Sequence, residues 1–580
     1  MIKRFLKWIL RTTLMLVLLF AVLAISDHMS HRVEPGSILL VTLDGPVVER
    51  GRTGLMSLFG AQETPLNSLR SAINRAAKDT RIAGLEIKVY DPEMEFSQAQ
   101  EISGLIKSFR SRGKFTSAYI ESAGEGGPGN LPFLSAAAAE EVSIMPQGEL
   151  NLVGIGVREL FARGTLDWVG ITPNFASIGK YKSAANMFTN KDFTPAQKEE
   201  DEALIGNLFD QVVSLAAIER GISADTVKSL IDQAPLTAQT GLKAHLVDRV
   251  EYEDQFDDRV KNHGGIKDRA VVDYENYARP TIFSSFKRGG DQIAIIYGNG
   301  TIERGDDGGP FSAPGSAAMT PDSVGKAFKD AREDDAVRAV VFRVNSPGGS
   351  VIASELIRRE VELTAKEKPV VVSMSGYAAS GGYWVSAPAT KIFAEPGTIT
   401  GSIGVLGGKF NISPAASKIY VNTGAVTRGA NVEMFDEWTD FTPAQARLFE
   451  DQIGDTYHDF LKIVSKGRHM NVEDVDAVAQ GRVWTGQQAA GIKLVDSLGS
   501  FDDALAAAKK MAMMEPTEPA GIIELPEQPG LLQTLLSGRM STLFERPAAG
   551  LAEPIEQIIR AALTGRGLYS AAYCPIVPMI

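Results

Sequence analysis

The sequence predicts a mixed α/β protein made of two tandem copies of one unit, each with a largely parallel sheet covered by helices. Two observations support this fold class. The hexapeptide DFTPAQ occurs at Asp192–Gln197 and again 248 residues later, at Asp440–Gln445. Apolar, β-branched runs alternate with helical patterns in both halves, which is typical of parallel sheets buried on both faces. The 580 residues are also too many for a single hydrophobic core.

The duplication extends well beyond the hexapeptide. At the same shift, Leu246–Asp248 matches Leu494–Asp496, both with the sequence LVD. Upstream, Lys78–Val89 matches Glu333–Val344 when small gaps are allowed. An exact hexapeptide within matching surroundings indicates that one unit was duplicated, and such repeats define the architecture.

The elements follow the same order in each copy. A β-branched run opens each one, at Ser37–Leu43 in the first and at Gln292–Gly298 in the second. In the second copy a helical pattern leads to the apolar strand Ala339–Val344, and another helix leads to the strand Pro369–Ser375. The connector Arg279–Gly290 contains proline, serine and glycine, which suits a linker between copies.

These patterns divide the chain into four predicted regions: an N-terminal membrane anchor (1–30), a first copy (36–280), a second copy (291–515) and a C-terminal helical tail (516–580). The tail lies outside the duplicated unit, and its apolar residues from Leu531 to Leu543 fall on one helical face. We expect that helix to dock on its own protein or on a neighbouring subunit, because the face is not notably basic, as a membrane contact would require.

The N-terminus predicts export and membrane attachment. Four basic residues, Lys3, Arg4, Lys7 and Arg11, precede the apolar run Thr12–Ser26. A basic flank followed by an apolar run is typical of a secretory signal or a signal anchor, with its positive end in the cytoplasm. Cleavage after Ala24 is the alternative; we expect an uncleaved, single-pass anchor.

Composition excludes several classes of function. The formal net charge is −12 and no basic stripe follows the N-terminus, which argues against nucleic acid as a main partner. The single cysteine, Cys574, excludes an internal disulfide and any two-cysteine metal site. The sequence has no apparent metal-binding cluster or nucleotide-binding loop, so we predict no cofactor.

Two glycine-rich segments of the second copy are separated by one predicted strand. In the first, Asn345–Ser350, the glycines Gly348 and Gly349 leave backbone N–H groups near the start of a helix, an arrangement that suits a developing negative charge. In the second, GYAASGGYW, Ser380 lies between two alanines and two glycines, and the N–H of Gly381 could supply another oxyanion donor.

The alternative interpretation is that these glycines only form turns and that Ser380 caps a helix. Two such segments one strand apart favour a nucleophile. None of the six histidines lies in the glycine-rich segments. A buried lysine can act as the base instead, when burial leaves its amine neutral. Lys180 and Lys182 are both candidates, and reasoning from the residues alone does not separate them.

Four motifs together resemble signal peptide peptidase A, also called protease IV, in its long two-copy form. They are SPGGS (Ser346–Ser350), SGYAASGGYW (Ser375–Trp384), TGSIGV (Thr400–Val405) and YKSA (Tyr181–Ala184). The resemblance spans roughly Ser37 to Met513, and the combination of motifs is highly specific.

The resemblance implies a duplicated Clp-protease/crotonase-like β-α-β superhelical domain, preceded by one transmembrane helix, and a homotetramer. By position, Ser380 is similar to the family's nucleophile, Lys182 to its general base and Ser402 to the hydroxyl that orients the lysine. The implied substrates are hydrophobic peptides, chiefly remnant signal peptides. The implied location is the bacterial cytoplasmic membrane, with the catalytic part on the extracytoplasmic side.

The duplication supports a site shared between the copies. Alignment places Asn130 where the second copy has Ser380, and the position of Lys182 corresponds to Gly429 or Ala430. Complementary loss of this kind is expected when one site is built across two halves. A crotonase-type acyl-CoA enzyme and a non-catalytic membrane scaffold are the alternatives. The export segment argues against the former, and retention of Ser380, Lys182 and Ser402 together argues against the latter.

Overall fold

The computed structural model describes residue 15, residues 33–51, 63–278, 290–305, 318–514 and 521–526, and the backbone of 571–573. The predicted anchor, the connector, Cys574 and the apolar face of the tail from Leu531 to Leu543 therefore lie almost entirely outside the described residues. Within the described part of the chain, no helix has the length and apolar character that crossing a bilayer requires.

The first copy alternates strands and helices along its length. Its strands are β1 (Ser37–Val48), β2 (Thr64–Pro65), β3 (Ile82–Glu93), β4 (Phe115–Ile120), β5 (Glu141–Ile144), β6 (Glu149–Leu150), β7 (Thr172–Ile178), β8 (Leu236–Thr237), β9 (Arg249–Val250) and β10 (Val271–Asp273). Its helices are α1 (Leu66–Lys78), α2 (Phe96–Arg110), α3 (Asn130–Ala137), α4 (Arg163–Val169), α5 (Asn186–Thr189), α6 (Pro195–Arg220), α7 (Ala224–Gln233), α8 (Ala238–Lys243), α9 (Glu253–Lys261) and α10 (Tyr274–Ala278).

The second copy repeats this alternation. Its strands are β11 (Gln292–Asn299), β12 (Val337–Ser346), β13 (Gly348–Ser350), β14 (Val370–Ala379), β15 (Lys391–Ala394), β16 (Ile399–Gly401), β17 (Val405–Asn411), β18 (Val483–Thr485), β19 (Ser497–Leu498) and β20 (Gly521–Leu525), followed by β21 (Ala571–Tyr573). Its helices are α11 (Lys326–Glu333), α12 (Val351–Glu367), α13 (Gly381–Ser386), α14 (Ser413–Lys418), α15 (Pro443–Arg468), α16 (Val472–Val478), α17 (Gly486–Gly491) and α18 (Phe501–Met511).

Both copies have a parallel sheet of the same topology. The strand order is β10-β1-β3-β4-β5-β9 in the first copy and β20-β11-β12-β14-β15-β19 in the second, and all of these pairs are parallel. This matching order confirms the predicted mixed α/β class and the repetition of one unit. The last strand of the second sheet, β20, lies beyond residue 515, so this sheet continues past the predicted end of the second copy.

The repeated hexapeptide forms the start of the same helix in each copy. Thr194 accepts a hydrogen bond from the N–H of Gln197 at the start of α6, and Thr442 does the same for Gln445 at the start of α15. Proline occupies the first turn of both helices, where the missing N–H has no helical partner to lose. Both helices contain 26 residues. The sequence repeat is therefore a repeated helix cap.

A buried ionic network joins the two copies. Arg343 of β12 is 1% exposed, and its guanidinium bonds Glu49 at 2.7 Å and Glu101 at 2.6 Å, both in the first copy. The same group donates to the hydroxyls of Ser373 and Ser375 on β14. Since buried charges need partners of opposite charge and hydrogen bonds, this arrangement fixes how the two sheets meet.

A strand of the first copy extends into the second. Strand β7 pairs antiparallel with β17, with Ile178 opposite Val405 and Thr172 opposite Asn411. These strands belong to a four-stranded sheet of order β13-β21-β17-β7. The chain that follows Ile178, which contains both candidate lysines, is therefore directed towards the glycine-rich segments of the second copy.

Candidate active site

Ser380 lies at a sharp turn between strand β14 and helix α13. Its backbone angles are φ 55° and ψ −113°, a conformation that L residues rarely adopt. The N–H of Ser380 donates to the carbonyl of Gly401 at 2.8 Å, which holds the turn against β16. Its side chain is fully buried. A serine on a strained strand-to-helix turn matches the local geometry of many serine nucleophiles.

The glycines after Ser380 are required by close packing. A Cβ atom on Gly381 would lie 2.7 Å from Ser354 Oγ and 3.1 Å from the N of Gly349. A Cβ on Gly382 would lie 2.6 Å from the carbonyl oxygen of Ser346. The turn that carries Ser380 therefore packs directly on the other glycine-rich segment, as the sequence led us to expect.

Lys182 reaches the serine from the first copy. Its Nζ lies 2.7 Å from Ser380 Oγ, 3.0 Å from Ser402 Oγ and 3.1 Å from the carbonyl oxygen of Ser402. The side chain is only 3% exposed. The three side chains singled out by the resemblance thus meet at one point, although they come from positions up to 220 residues apart.

Lys180 faces a different environment. Its amine is exposed and contacts Tyr181 Oη at 3.0 Å and Glu199 at 3.2 Å. Lys180 and Lys182 do not share the face of one strand, because β7 ends at Ile178 and a turn follows. That turn directs one lysine to solvent and the other into the protein.

Glycines of the second copy make room for the lysine. A Cβ on Gly481 would lie 2.5 Å from the N of Lys182, and one on Gly404 would lie 3.1 Å from Lys182 Cδ. The N–H of Tyr181 donates to the carbonyl of Gln480 at 2.7 Å, which anchors the lysine turn to the second copy. The close contact between these two backbone segments therefore determines how far the Lys182 amine extends into the second copy.

Ser402 is held as firmly as the other two residues. Its φ is 50°, it is 2% exposed, and its N–H donates to the carbonyl of Arg482 at 2.7 Å. Ser402 directly follows Gly401, the last residue of β16. Two consecutive residues therefore carry the acceptor for the N–H of Ser380 and the hydroxyl that contacts Lys182.

The predicted oxyanion glycines lie next to the serine. Gly348 and Gly349 have φ values of 107° and 152°, which strongly favour glycine. A Cβ on Gly349 would lie 2.2 Å from the carbonyl oxygen of Ile302. The N–H of Gly348 donates to Ser346 Oγ at 3.2 Å. A Cβ on Gly381 would lie 3.1 Å from the N of Gly349, so this segment packs against the residue that follows Ser380.

A feature that the sequence did not reveal is the strand β21. It runs antiparallel to β13, with Tyr573 opposite Gly348 and Ala572 opposite Gly349, and Ala571 pairs with Leu406 of β17. This C-terminal strand therefore lies between the strand that carries the two glycines and the strand that pairs with β7. The tail had been predicted to be helical, and no sequence pattern indicated this pairing.

Two buried carboxyl groups near the lysine were also missed. Burial raises the pKa of Glu200 to about 8 and that of Asp201 to about 6. The Glu200 carboxylate accepts a hydrogen bond from the N–H of Val483 in the second copy. The repeat itself contained a signal, since the corresponding residues of the second copy are Leu448 and Phe449.

The first copy has no serine at the position that corresponds to Ser380. Helix α3 begins at Asn130 with Gly129 as its N-cap, so the structural counterpart of Ser380 is Gly129, one residue before the aligned asparagine. The amide of Asn130 donates to the carbonyl of Gly154 at 2.8 Å.

Among the described residues, no cluster of three or more His, Cys, Asp or Glu side chains could hold a metal ion.

Comparison with known proteins connects this geometry to a family. The model of Peptidase family S49 matches residues 111–267 and 362–515, one segment in each copy. "Serine protease SPPA, chloroplastic" from Arabidopsis thaliana is 32% identical over 532 residues, which cover 90% of this chain and 77% of that protein. "Protease 4" from Salmonella typhi is 33% identical over 509 residues, covering 82% of this chain and 78% of that protein.

A third relative, "Protease 4" from Haemophilus influenzae, is 30% identical over 459 residues, which cover 76% of this chain and 72% of its own. One solved structure, a ClpP1 mutant from Listeria monocytogenes, covers 36% of this chain and 94% of its own at 14% identity, with a TM-score of 0.24 that is too low to define the fold. The matches in both copies and the similarity over most of the chain show that this serine protease belongs to peptidase family S49.

Proposed function

We propose that the protein is an endopeptidase with a Ser–Lys dyad, in which Ser380 is the nucleophile and Lys182 the general base. The observation that supports this proposal most directly is the contact of 2.7 Å between Lys182 Nζ and Ser380 Oγ across the two copies. Ser402 orients the amine through its hydroxyl. Removal from water disfavours the ammonium form of a lysine, which favours the neutral amine that a base requires.

In the proposed reaction, Ser380 Oγ attacks the carbonyl carbon of a peptide bond while Lys182 takes the hydroxyl proton. The lysine then gives that proton to the leaving amine, and an acyl-enzyme remains on Ser380. Water, deprotonated by the same lysine, hydrolyses the acyl-enzyme and restores the serine. Backbone N–H groups near Gly349 and Gly381 stabilise the oxyanion, with each donor contributing about 3 kcal/mol. The N–H of Gly348 joins them only by leaving Ser346 Oγ.

We further propose hydrophobic peptides as substrates, chiefly the signal peptides left in the membrane after cleavage. The predicted anchor at 1–30 would bring the enzyme to the bilayer surface where such peptides occur. This part of the proposal places the protein in the bacterial cytoplasmic membrane, with its catalytic part on the extracytoplasmic side and a homotetramer as the assembly. It rests on the N-terminal charge pattern and the family resemblance.

The test of the dyad is the hydrolysis of a fluorogenic hydrophobic peptide by the purified full chain and by Ser380→Ala and Lys182→Ala. We expect both substitutions to reduce kcat by at least about 10³-fold, because the nucleophile and its base act as a unit. Lys180→Ala is the matched control, since this lysine lies two residues away and points to solvent. It should retain activity close to that of the wild type.

The outcomes separate the parts of the proposal. Loss of activity in Ser380→Ala but not in Lys182→Ala would mean that another group is the base. Cleavage of short polar peptides in preference to hydrophobic ones would contradict the substrate class. Recovery of the full chain in the soluble fraction of cells, or a monomeric mass in solution, would contradict the proposed anchor or the proposed tetramer respectively.

A further inference from the structure

Glu200 is a buried acidic residue that the proposed chemistry does not use. It lies in the second turn of α6, close after the lysine turn in the chain, and is 1% exposed. One carboxylate oxygen accepts a hydrogen bond from the N–H of Val483, whereas the other has no hydrogen-bond partner among the described residues. A residue of the first copy therefore binds a backbone group of the second copy beside the site.

The strand that Glu200 contacts supports both serines. Val483 of β18 pairs with Gly401 of β16. The carbonyl of Gly401 accepts from the N–H of Ser380, and the carbonyl of Arg482, one residue before Val483, accepts from the N–H of Ser402. Glu200 therefore binds the strand whose neighbouring backbone carbonyls, those of Gly401 and Arg482, hold the N–H groups of Ser380 and Ser402.

The duplication provides an internal comparison for this acidic residue. Helices α6 and α15 have the same length and the same cap, yet Glu200 and Asp201 correspond to Leu448 and Phe449. Phe449 is buried in the second core and Leu448 is 49% exposed, so neither position of α15 holds a buried carboxyl group. Burying a carboxyl group opposes folding unless the group is paired. The acidic pair therefore occurs only in the copy that carries the lysine, where packing alone does not explain it.

Charged groups on three elements influence the pKa of the Glu200 carboxyl. They are Asp201 on its own helix, Arg482 before β18 and Lys182 after β7. Burial is the main reason that the pKa of Glu200 rises to about 8, against the lowering effects of the Val483 N–H, Arg482 and Lys182. When this carboxyl loses its proton, the new negative charge favours the ammonium form of Lys182; when it is protonated, that effect is absent.

We propose that Glu200 is a positioning residue of this site, which holds β18 against the two serines and whose charge sets the proton affinity of Lys182. The inference rests on the proposed role of Lys182 as the base. The hydrogen bond of the Glu200 side chain goes to the N–H of Val483 and not to Ser380. Glu200 is therefore a positioning residue and not a nucleophile or base. It acts through the backbone of Val483 and through the electric field at the amine.

The test is the pH dependence of kcat/KM for the fluorogenic peptide, measured for wild type, Glu200→Gln and Glu200→Leu. The glutamine variant keeps an oxygen for the Val483 N–H but loses the charge. We expect its activity at the optimum to stay within about threefold of wild type. The part of the kcat/KM profile above about pH 8, where Glu200 of the wild type is ionised, should move to lower pH.

The leucine variant carries the residue of the second copy and leaves the Val483 N–H without its acceptor. We expect the same shift in pH together with a fall in kcat of about tenfold, because β18 loses the contact that holds it against the backbone of both serines. Glu202→Gln is the matched control, because its side chain is 69% exposed on the same helix. Its pH profile should superimpose on that of wild type.

The result that overturns the inference is a Glu200→Gln profile identical to wild type in an enzyme that still requires Lys182 and Ser380. In that case the dyad stands and only the role of Glu200 falls. If Lys182→Ala retains full activity, the proposed dyad and the inference both fail. Thermal melting followed by circular dichroism identifies any variant whose loss of activity comes from unfolding.

Discussion

Ser380 and Ser402 have strained backbone conformations that could not be predicted from the sequence. Ser380 and Ser402 have φ values of 55° and 50°, and the N–H of each donates one hydrogen bond to a neighbouring backbone carbonyl, that of Gly401 and that of Arg482 respectively. Such conformations cost about 1–3 kcal/mol each and persist only where the surroundings impose them. In these strained conformations both hydroxyls lie within hydrogen-bonding distance of the Lys182 amine. The geometry of the site therefore depends on the backbone conformation of the two serines.

The first prediction concerns Ser402→Ala. The alanine removes one of the contacts that hold the Lys182 amine, the hydroxyl at 3.0 Å, while the carbonyl of Ser402 at 3.1 Å remains. We expect kcat to fall by about 10²-fold with little change in KM, because orientation of the base matters for proton transfer and not for peptide binding. Steady-state kinetics on a hydrophobic peptide measure the two constants separately.

The exposed Ser417, whose hydroxyl bonds only within helix α14, provides the control as Ser417→Ala. Its kinetic constants should equal those of wild type. A Ser402→Ala enzyme with unchanged kcat would show that the carbonyl alone orients the amine.

At this scale the sequence predicted part of the site. Ser380 could be found because two alanines and two glycines around one serine indicate close backbone approach. Lys180 and Lys182 could not be separated, because the end of β7 at Ile178 depends on pairing with β17, a strand more than 200 residues away. Glu200 was missed because its partner, the N–H of Val483, is contributed by a distant strand.

At the scale of elements, the pairing of β7 with β17 determines where the lysine turn lies. It extends over seven residue pairs, from Thr172 opposite Asn411 to Ile178 opposite Val405. Gly408 faces Phe175 in this pairing, and a Cβ atom there would lie 2.3 Å from the carbonyl oxygen of Asn174. The two backbones therefore approach too closely to accept a side chain at this position.

The second prediction is that Gly408→Ala displaces β7 and with it Lys182. We expect destabilisation of about 1–3 kcal/mol, as for overpacking, and a fall in kcat/KM of about tenfold or more. Melting temperature and kcat/KM are the measurements. Gly454→Ala, in helix α15 with no atom within 4 Å of the added Cβ, is the control and should be neutral or stabilising by up to about 1 kcal/mol. Wild-type melting and activity in Gly408→Ala would contradict the prediction.

The elements that sequence reasoning predicted are those with local signals. The hexapeptide contains a threonine N-cap followed by proline, so adjacent residues are sufficient to predict where α6 and α15 begin. The parallel strands are apolar runs of recognisable length. In contrast, β16, β18 and β21 are three residues long, and their pairing depends on the fold around them. Short strands of this kind carry too little pattern to be detected.

At the scale of the whole molecule, the two copies meet through buried charges. Arg343 pairs with Glu49 and Glu101 of the other copy. The charges of Glu101 and Arg343 in turn affect the pKa of Glu395. Burial first, and then the charge of Glu101, raise the pKa of Glu395 to about 8. A carboxyl group that binds its proton more tightly in the native state links the stability of this interface to pH.

The third prediction follows from the sign of that linkage. The stabilising contribution of protonated Glu395 is fully present below its unfolded pKa of about 4.5 and is lost as the pH rises through about 8. We expect Glu395→Gln to gain stability relative to wild type as the pH increases from 5 to 8.5, with a change on the order of a few kcal/mol. Urea denaturation at several pH values measures this difference.

Glu333→Gln serves as the control, because it makes the same change of a carboxyl to an amide on a side chain that is 62% exposed. A difference between Glu395→Gln and wild type that does not depend on pH would mean that Glu395 is ionised in the native protein.

The position of strand β21 has a kinetic consequence. A peptide that binds as an added strand beside Gly348 and Gly349 would need the place that Ala571–Tyr573 occupies. Because this competitor belongs to the same chain, its effective concentration is roughly millimolar or lower, is set by the intervening segment and does not change when the enzyme is diluted. Deleting residues 571–580 should therefore lower KM and leave kcat unchanged, whereas an unchanged KM would mean that the strand does not compete with substrate.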